Sequence, residues 1–215
     1  MSVALSWSGG KDSALALAAL RAQGTEPSAL VTTVTEEYER ISMHGVRREL
    51  LHAQARAVGI PLVEIRIAPA CSNEVYEERM TAAFNGPLAH VEAVAFGDLF
   101  LADIRAYREE RLALVGRQAL FPLWLRDTRA LAHEFVAAGF EARLVCVDPR
   151  ALDSSFAGRA YDAELLEDLP PNVDPCGENG EFHTFVHGGP VFSAPLAVEC
   201  GDVVERDGFV FRDLR

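Results

Sequence analysis

Short apolar runs alternate with longer amphipathic stretches over the first two thirds of the chain, and this alternation predicts the architecture. Val3-Ala4-Leu5-Ser6-Trp7 is closed by Ser8-Gly9-Gly10, the pattern of a buried strand. From Ser13 the chain reads Ala-Leu-Ala-Leu-Ala-Ala-Leu, strong helix formers that stop near Gly24. The apolar, β-branched stretch 29–34 predicts a second strand. Val46, Leu50, Leu51, Ala53, Ala57 and Val58 keep a helical period that Gly59 and Pro61 end. Further strands are predicted at 62–67, 91–96, 119–121 and 142–147, and further helices at 74–84, 104–115 and 128–138.

Strands that alternate with helices of this length imply βαβ units. The pattern predicts a Rossmann-like α/β fold, with a parallel sheet of six strands and helices on both faces. Such sheets bind ligands at the carboxyl ends of their strands, where the strand order reverses. The pattern changes after Pro149. Residues 150–181 are acidic and loop-rich, with breakers at Leu169-Pro170-Pro171-Asn172 and Asp174-Pro175-Cys176-Gly177. Short β-like runs separated by Gly and Pro fill 182–211. We therefore expect an α/β domain over 1–149 and a smaller, β-rich C-terminal lobe over 150–215, with one helix around 162–168.

Charge narrows the function. With 20 basic and 32 acidic residues, the net charge is −12. That opposes any partner held by bulk positive charge, so neither nucleic acid nor an anionic membrane is expected. An anion held in a local pocket stays open. Nineteen of the 20 basic residues are Arg, and Lys11 is the only Lys. The four cysteines, Cys71, Cys146, Cys176 and Cys200, include no C-x-x-C pair. They are expected to be reduced thiols of a cytoplasmic protein. The apolar run at 14–20 is too short to span a bilayer.

The chemistry concentrates in Ser8-Gly9-Gly10-Lys11-Asp12-Ser13, between a predicted strand and a predicted helix. The glycines permit a tight turn that brings N–H groups close to a ligand. The helix start adds unpaired N–H groups and a positive dipole end, which together make a phosphate cradle. Lys11 adds a point charge on what is expected to be an open loop, and Ser8 and Ser13 add hydroxyl donors. Asp12 suits either a helix cap or a partner of Mg²⁺ bound to phosphates. The loop matches neither G-x-x-x-x-G-K-[ST] nor G-x-G-x-x-G.

It resembles the SGGxDS loop of the N-type ATP pyrophosphatases. Met43-His44-Gly45-Val46-Arg47, Phe96-Gly97-Asp98, the stretch from Pro122 to Thr128, and Gly177-Glu178-Asn179-Gly180-Glu181-Phe182-His183-Thr184 follow in order. With the loop, this series is similar to the diphthine–ammonia ligase family within that superfamily, over nearly the whole chain. His183 departs from the Glu that often stands there.

The resemblance implies an adenine nucleotide alpha hydrolase-like sheet and an ATP-dependent amide ligase. A carboxylate would be adenylylated, pyrophosphate released, and AMP displaced by ammonia. It implies ATP and Mg²⁺ as cofactors, with Asp12 on the metal. Lys11, Asp12, Asp98, Glu178 and Glu181 are the implied catalytic set. Ser8, Gly9, Gly10, Lys11, Asp12, Ser13, His44, Gly45, Gly97, Trp124 and Arg126 are the implied nucleotide contacts. From the residues alone, Asp98 is equally a cap of the next helix. Arg126 is equally one half of a surface ion pair, and Glu178 and Glu181 hold an ammonium group, Mg²⁺ or only their own loop. The acceptor would be a small carboxylate or a diphthine-bearing elongation factor, and the chain a homodimer. Two alternatives stay open: sulfur transfer through Cys176 with Cys146, and a non-enzymatic ATP- or AMP-binding protein.

Overall fold

The computed structural model describes residues 1–35, 40–41, 45–68 and 71–215. Five parallel strands form the first sheet: β1 (Val3–Ser6), β2 (Ala29–Thr35), β4 (Leu62–Ile67), β5 (Ala93–Ala95) and β6 (Gln118–Leu120). Their order is β4-β2-β1-β5-β6, set by the pairs Leu5↔Leu30, Leu5↔Ala95, Val31↔Val63 and Val94↔Ala119. A two-residue strand, β3 (Arg40–Ile41), runs antiparallel to the end of β2.

Alternation along β1 decides how the faces are covered. Val3, Leu5 and Trp7 point to one side, where they share a core with Leu15, Leu17 and Leu20 of α1 (Lys11–Ala22) and Leu51 of α2 (Arg48–Val58). Ala4 points to the other side and joins Ala29 and Val31 under Phe84 of α3 (Asn73–Asn85) and Leu112 of α4 (Ala102–Leu114). Each fully buried leucine contributes about 1.5–3 kcal/mol of transfer free energy. The helix boundaries follow local chemistry. Ser72 accepts from the N–H of Val75 at the start of α3, Asp127 accepts from Ala130 at the start of α5 (Thr128–Ala137), and Gly59 ends α2 in the left-handed conformation.

The strand expected at 142–147 forms but belongs elsewhere. β7 (Glu141–Val147) pairs antiparallel with β8 (Phe182–Gly188) and with β10 (Phe209–Leu214), and β9 (Cys200–Arg206) completes a second sheet of order β8-β7-β10-β9. The parallel sheet therefore has five strands and not six. An apolar run signals a buried strand, but it does not say which strand will be its neighbour. The expected short helix is present as α6 (Ala163–Asp168), capped by Asp162.

The two sheets share one core. Phe185 and Val186 of β8 and Leu144 of β7 belong to the same apolar cluster as Leu15 and Leu17 of α1. The N–H of Val186 donates to the carbonyl of Gly9 at 2.9 Å. The Arg47 guanidinium, just before α2, holds Asp213 of β10 at 2.6 Å. Phe135 of α5 is fully buried, stacked on Phe140 at 4.7 Å and edge-on to Tyr161 at 5.3 Å. We expect Phe135→Ala to cost roughly 3–5 kcal/mol, measured by chemical denaturation followed by circular dichroism.

Candidate active site

The chain leaves β1 toward β2 on one side and leaves β5 toward β6 on the other, so a crevice opens above the ends of β1 and β5. The Ser8–Ser13 bend fills one wall. Gly9 has φ +77°, which only glycine adopts without strain, and a Cβ there would stand 2.5 Å from Oε1 of Gln54. Gly97, after β5, forms the other wall. A Cβ on Gly97 would lie 2.8 Å from the carbonyl carbon and oxygen of Asp12.

Lys11 is not on an open loop as expected. It is the first residue of α1 and only 1% exposed, because β8 covers it. Its N–H donates to Oγ1 of Thr184 at 3.0 Å, and its Nζ holds both oxygens of Asp12 at 2.6 and 2.8 Å. Burial disfavours its charge, but the acidic groups around it, Asp12 foremost and Glu178 among them, together more than offset this, so Lys11 stays cationic above the usual lysine range. Ser13 donates to the Gly10 carbonyl at 2.8 Å, and Ser8 accepts from the Gly10 N–H at 3.3 Å.

Two further carboxylates stand nearby. Glu178 accepts from the N–H of Leu99 at 2.7 Å. Burial, with the carboxylates of Asp12 and Asp98, pushes it up to about 7 against the pull of that N–H and of Lys11. Asp98 pairs with Arg108 of α4 at 2.8 Å, and that guanidinium lies over the Phe96 ring. Beside the bend, a cleft of about 280 Å³ opens between the sheet and α3 and α4. Ser8, Trp7, Thr33 and Phe96 line its sheet side, and Tyr76, Met80 and Tyr107 line its helical walls. Glu77 and Arg111, paired at 2.9 Å, bridge the two helices.

Profiles of two domains match this chain: the diphthamide synthase N-terminal domain over residues 1–118 and the diphthamide synthase C-terminal domain over residues 127–210. The chain belongs to the diphthamide synthase family. Curated relatives named diphthine–ammonia ligase are similar along most of its length. The Danio rerio protein is 26% identical over 92% of this chain and 86% of its own. The Rattus norvegicus protein is 25% identical over 95% and 85%. The Schizosaccharomyces pombe protein is 26% identical over 92% of this chain, which spans 36% of that longer relative. A solved chain from Methanocaldococcus jannaschii, described as a predicted subunit of tRNA methyltransferase, has a TM-score of 0.45 at 18% identity, over 88% of this chain and 97% of that one.

Not every residue singled out by the family resemblance gathers at the crevice. Glu181 accepts from the N–H groups of Asp174 and Asn179 and from the Asn179 amide, so it braces the 174–181 loop from inside. Arg126 pairs with Glu134 on the exposed side of α5. Trp124 packs against Phe121 at 5.7 Å, with Arg105 over both rings. Gly45, with φ +67°, lies against Phe211 of the second sheet. His44 falls outside the described residues. Gln54 carried no motif that could mark it, yet it touches the glycine bend directly. Among the described residues no cluster of three or more His, Cys, Asp or Glu could hold a metal ion.

The second-lobe residues behind Lys11 are uncharged. Burial, together with Lys11, lowers His183 to about 4, so its imidazole is neutral at pH 7. Burial pushes the Cys176 thiol up to about 12 despite the pull of Lys11, and its Sγ donates to the Thr128 carbonyl. Cys146 is likewise buried and pushed up to about 12. Burial thus disfavours the thiolate form of both, which does not favour sulfur transfer through them. In the folded protein iodoacetamide at pH 8 should alkylate exposed Cys200 and spare Cys146 and Cys176 until denaturant is added, as read by peptide mass spectrometry.

Glu178 supplies a pH test. Its folded value of about 7 lies above its ordinary value of 4.5, so the folded state binds the proton more tightly. Stability is then lost as pH climbs from 4.5 through about 7. Glu178→Gln keeps an oxygen for the Leu99 N–H and removes the ionisation. Its melting temperature should exceed that of the parent at pH 8 and converge with it near pH 4, measured by scanning calorimetry.

Proposed function

We propose that this chain activates a substrate carboxylate with ATP and converts it to an amide with ammonia, releasing AMP and pyrophosphate. The observation that carries this reading is Lys11, the one buried cation among the described residues, at the start of α1 beside the glycine bend, with a cleft of nucleoside size opening next to it. Family membership and the names of its curated relatives support the same chemistry.

In this reading the adenosine lies in the cleft between α3 and α4, and the phosphates lie across Ser8, Gly9, Gly10 and Ser13. Helix N–H groups and Lys11 neutralise the phosphate charge that grows as pyrophosphate leaves. A carboxylate oxygen of the acceptor attacks the α-phosphorus, the bond to the bridging oxygen breaks, and pyrophosphate departs. Ammonia then attacks the acyl carbon, AMP departs with the bond electrons, and the nitrogen loses a proton. Glu178 would hold an ammonium ion and take a proton, a role supported by its nearness to Asp12, Lys11 and Asp98. No covalent bond to the protein is needed.

Magnesium fits this donor set. Asp12 is a hard oxygen donor, with 30% of its side chain open to the crevice. Mg²⁺ commonly binds through one or two carboxylates plus substrate phosphates. Bound there, the ion would supply charge neutralisation on the phosphates. The acceptor would be a small carboxylate or a protein-borne diphthine, the group in the relatives' name.

α-Labelled ATP, Mg²⁺ and ammonium incubated with a panel of carboxylates should yield AMP only when an acceptor is present. Formation of ADP would contradict the proposal. A protein that binds ATP but forms no AMP with any acceptor is a nucleotide sensor instead. Lys11→Ala should lower AMP formation by about 100-fold or more. Lys11→Arg should not restore it, because a bulkier guanidinium would have to fit a fully buried site.

A further inference from the structure

Gln54 of α2 is fully buried, and each end of its carboxamide is engaged. Its Oε1 accepts from the indole N–H of Trp7 at 3.0 Å. Its Nε2 donates to the Gly9 carbonyl at 2.9 Å and to the Val186 carbonyl of β8. The orientation of the amide follows from these partners, since two carbonyls require the nitrogen and one N–H requires the oxygen.

The Gly9 carbonyl thus receives two donors, one from Gln54 and one from the Val186 N–H at 2.9 Å. A carbonyl in a phosphate-binding bend would repel a phosphate if it faced the crevice. These two donors keep it turned into the protein, which leaves the N–H side of the bend for an anion. One donor comes from the first sheet's own helix layer and the other from the second sheet. A second stitch, from the Lys11 N–H to Thr184 of the same strand, lies two residues along the bend.

We propose that Gln54 is a positioning residue that sets the phosphate-binding bend and makes it conditional on the docking of β8. It acts through Gly9 and does not itself touch nucleotide. The inference rests on the ATP reading above. It requires that losing the carboxamide weakens ligands through their outer phosphates more than through the nucleoside.

The test is isothermal titration calorimetry of the full chain with ATP and with AMP, both with Mg²⁺, comparing the parent with Gln54→Leu and Gln54→Glu. Gln54→Leu should weaken ATP by about tenfold or more and AMP by clearly less. Gln54→Glu is isosteric and carries the test even if Gln54→Leu fails to fold. Ionised, its carboxylate faces two carbonyls; protonated, it can donate to one of them. The ratio of its ATP affinity to that of the parent should therefore rise as pH falls from about 8 to about 5. A purely structural role would weaken ATP and AMP equally and leave that ratio flat, and that result overturns the proposal. A parent that binds ATP, together with a folded Gln54→Leu that binds it equally well, also overturns it while sparing the ATP reading. A parent that binds no ATP removes both.

Discussion

The first turn of α1 and the turn after β5 must nearly touch for this crevice to exist. Gly97 stands so close to the backbone of Asp12 that a single added carbon would lie 2.8 Å from it. Only the absence of a side chain at position 97 allows this approach. This approach fixes how far the β1 loop stands from the β5 loop. It gathers Asp12, Lys11, Asp98 and Glu178 into one electrostatic neighbourhood, although they come from three separate parts of the chain.

The charge balance of that neighbourhood accounts for an otherwise odd composition. A chain of net charge −12 is a poor general host for a polyanion. In the proposed reading, anion binding would rest on local means: the start of a helix, a glycine bend and one lysine kept charged by a partner carboxylate. Asp98 is neutralised by Arg108, while Glu178 is left close to its titration point at neutral pH. Behind Lys11, burial keeps His183 and Cys176 uncharged, so neither competes with it.

The second sheet completes the site and is more than an appendage. Its strand β8 covers Lys11, accepts from the Lys11 N–H and donates to Gly9. The 174–181 loop leading into β8 delivers Glu178 and is held in shape by Glu181. A preorganised loop of this kind loses little entropy when it binds, because the fold has already ordered it.

The strand, the glycine bend and the helix after it were legible in the residue order, because period, turn chemistry and helix propensity act over a few neighbours; the burial of Lys11 as the first residue of that helix was not. The ordered series of short motifs likewise pointed to the family. Only the tertiary structure separated residues of similar appearance. Glu178 and Glu181 lie three positions apart, yet one faces the crevice and the other is spent on its own loop. Arg126 turned to a surface partner, and β7 joined the second sheet, since strand pairing depends on partners distant in sequence. Gln54 was silent as a residue because its meaning lies in contacts 45 and 132 positions away. A buried amide has no local signature; it is defined by the polar groups that the fold brings to it.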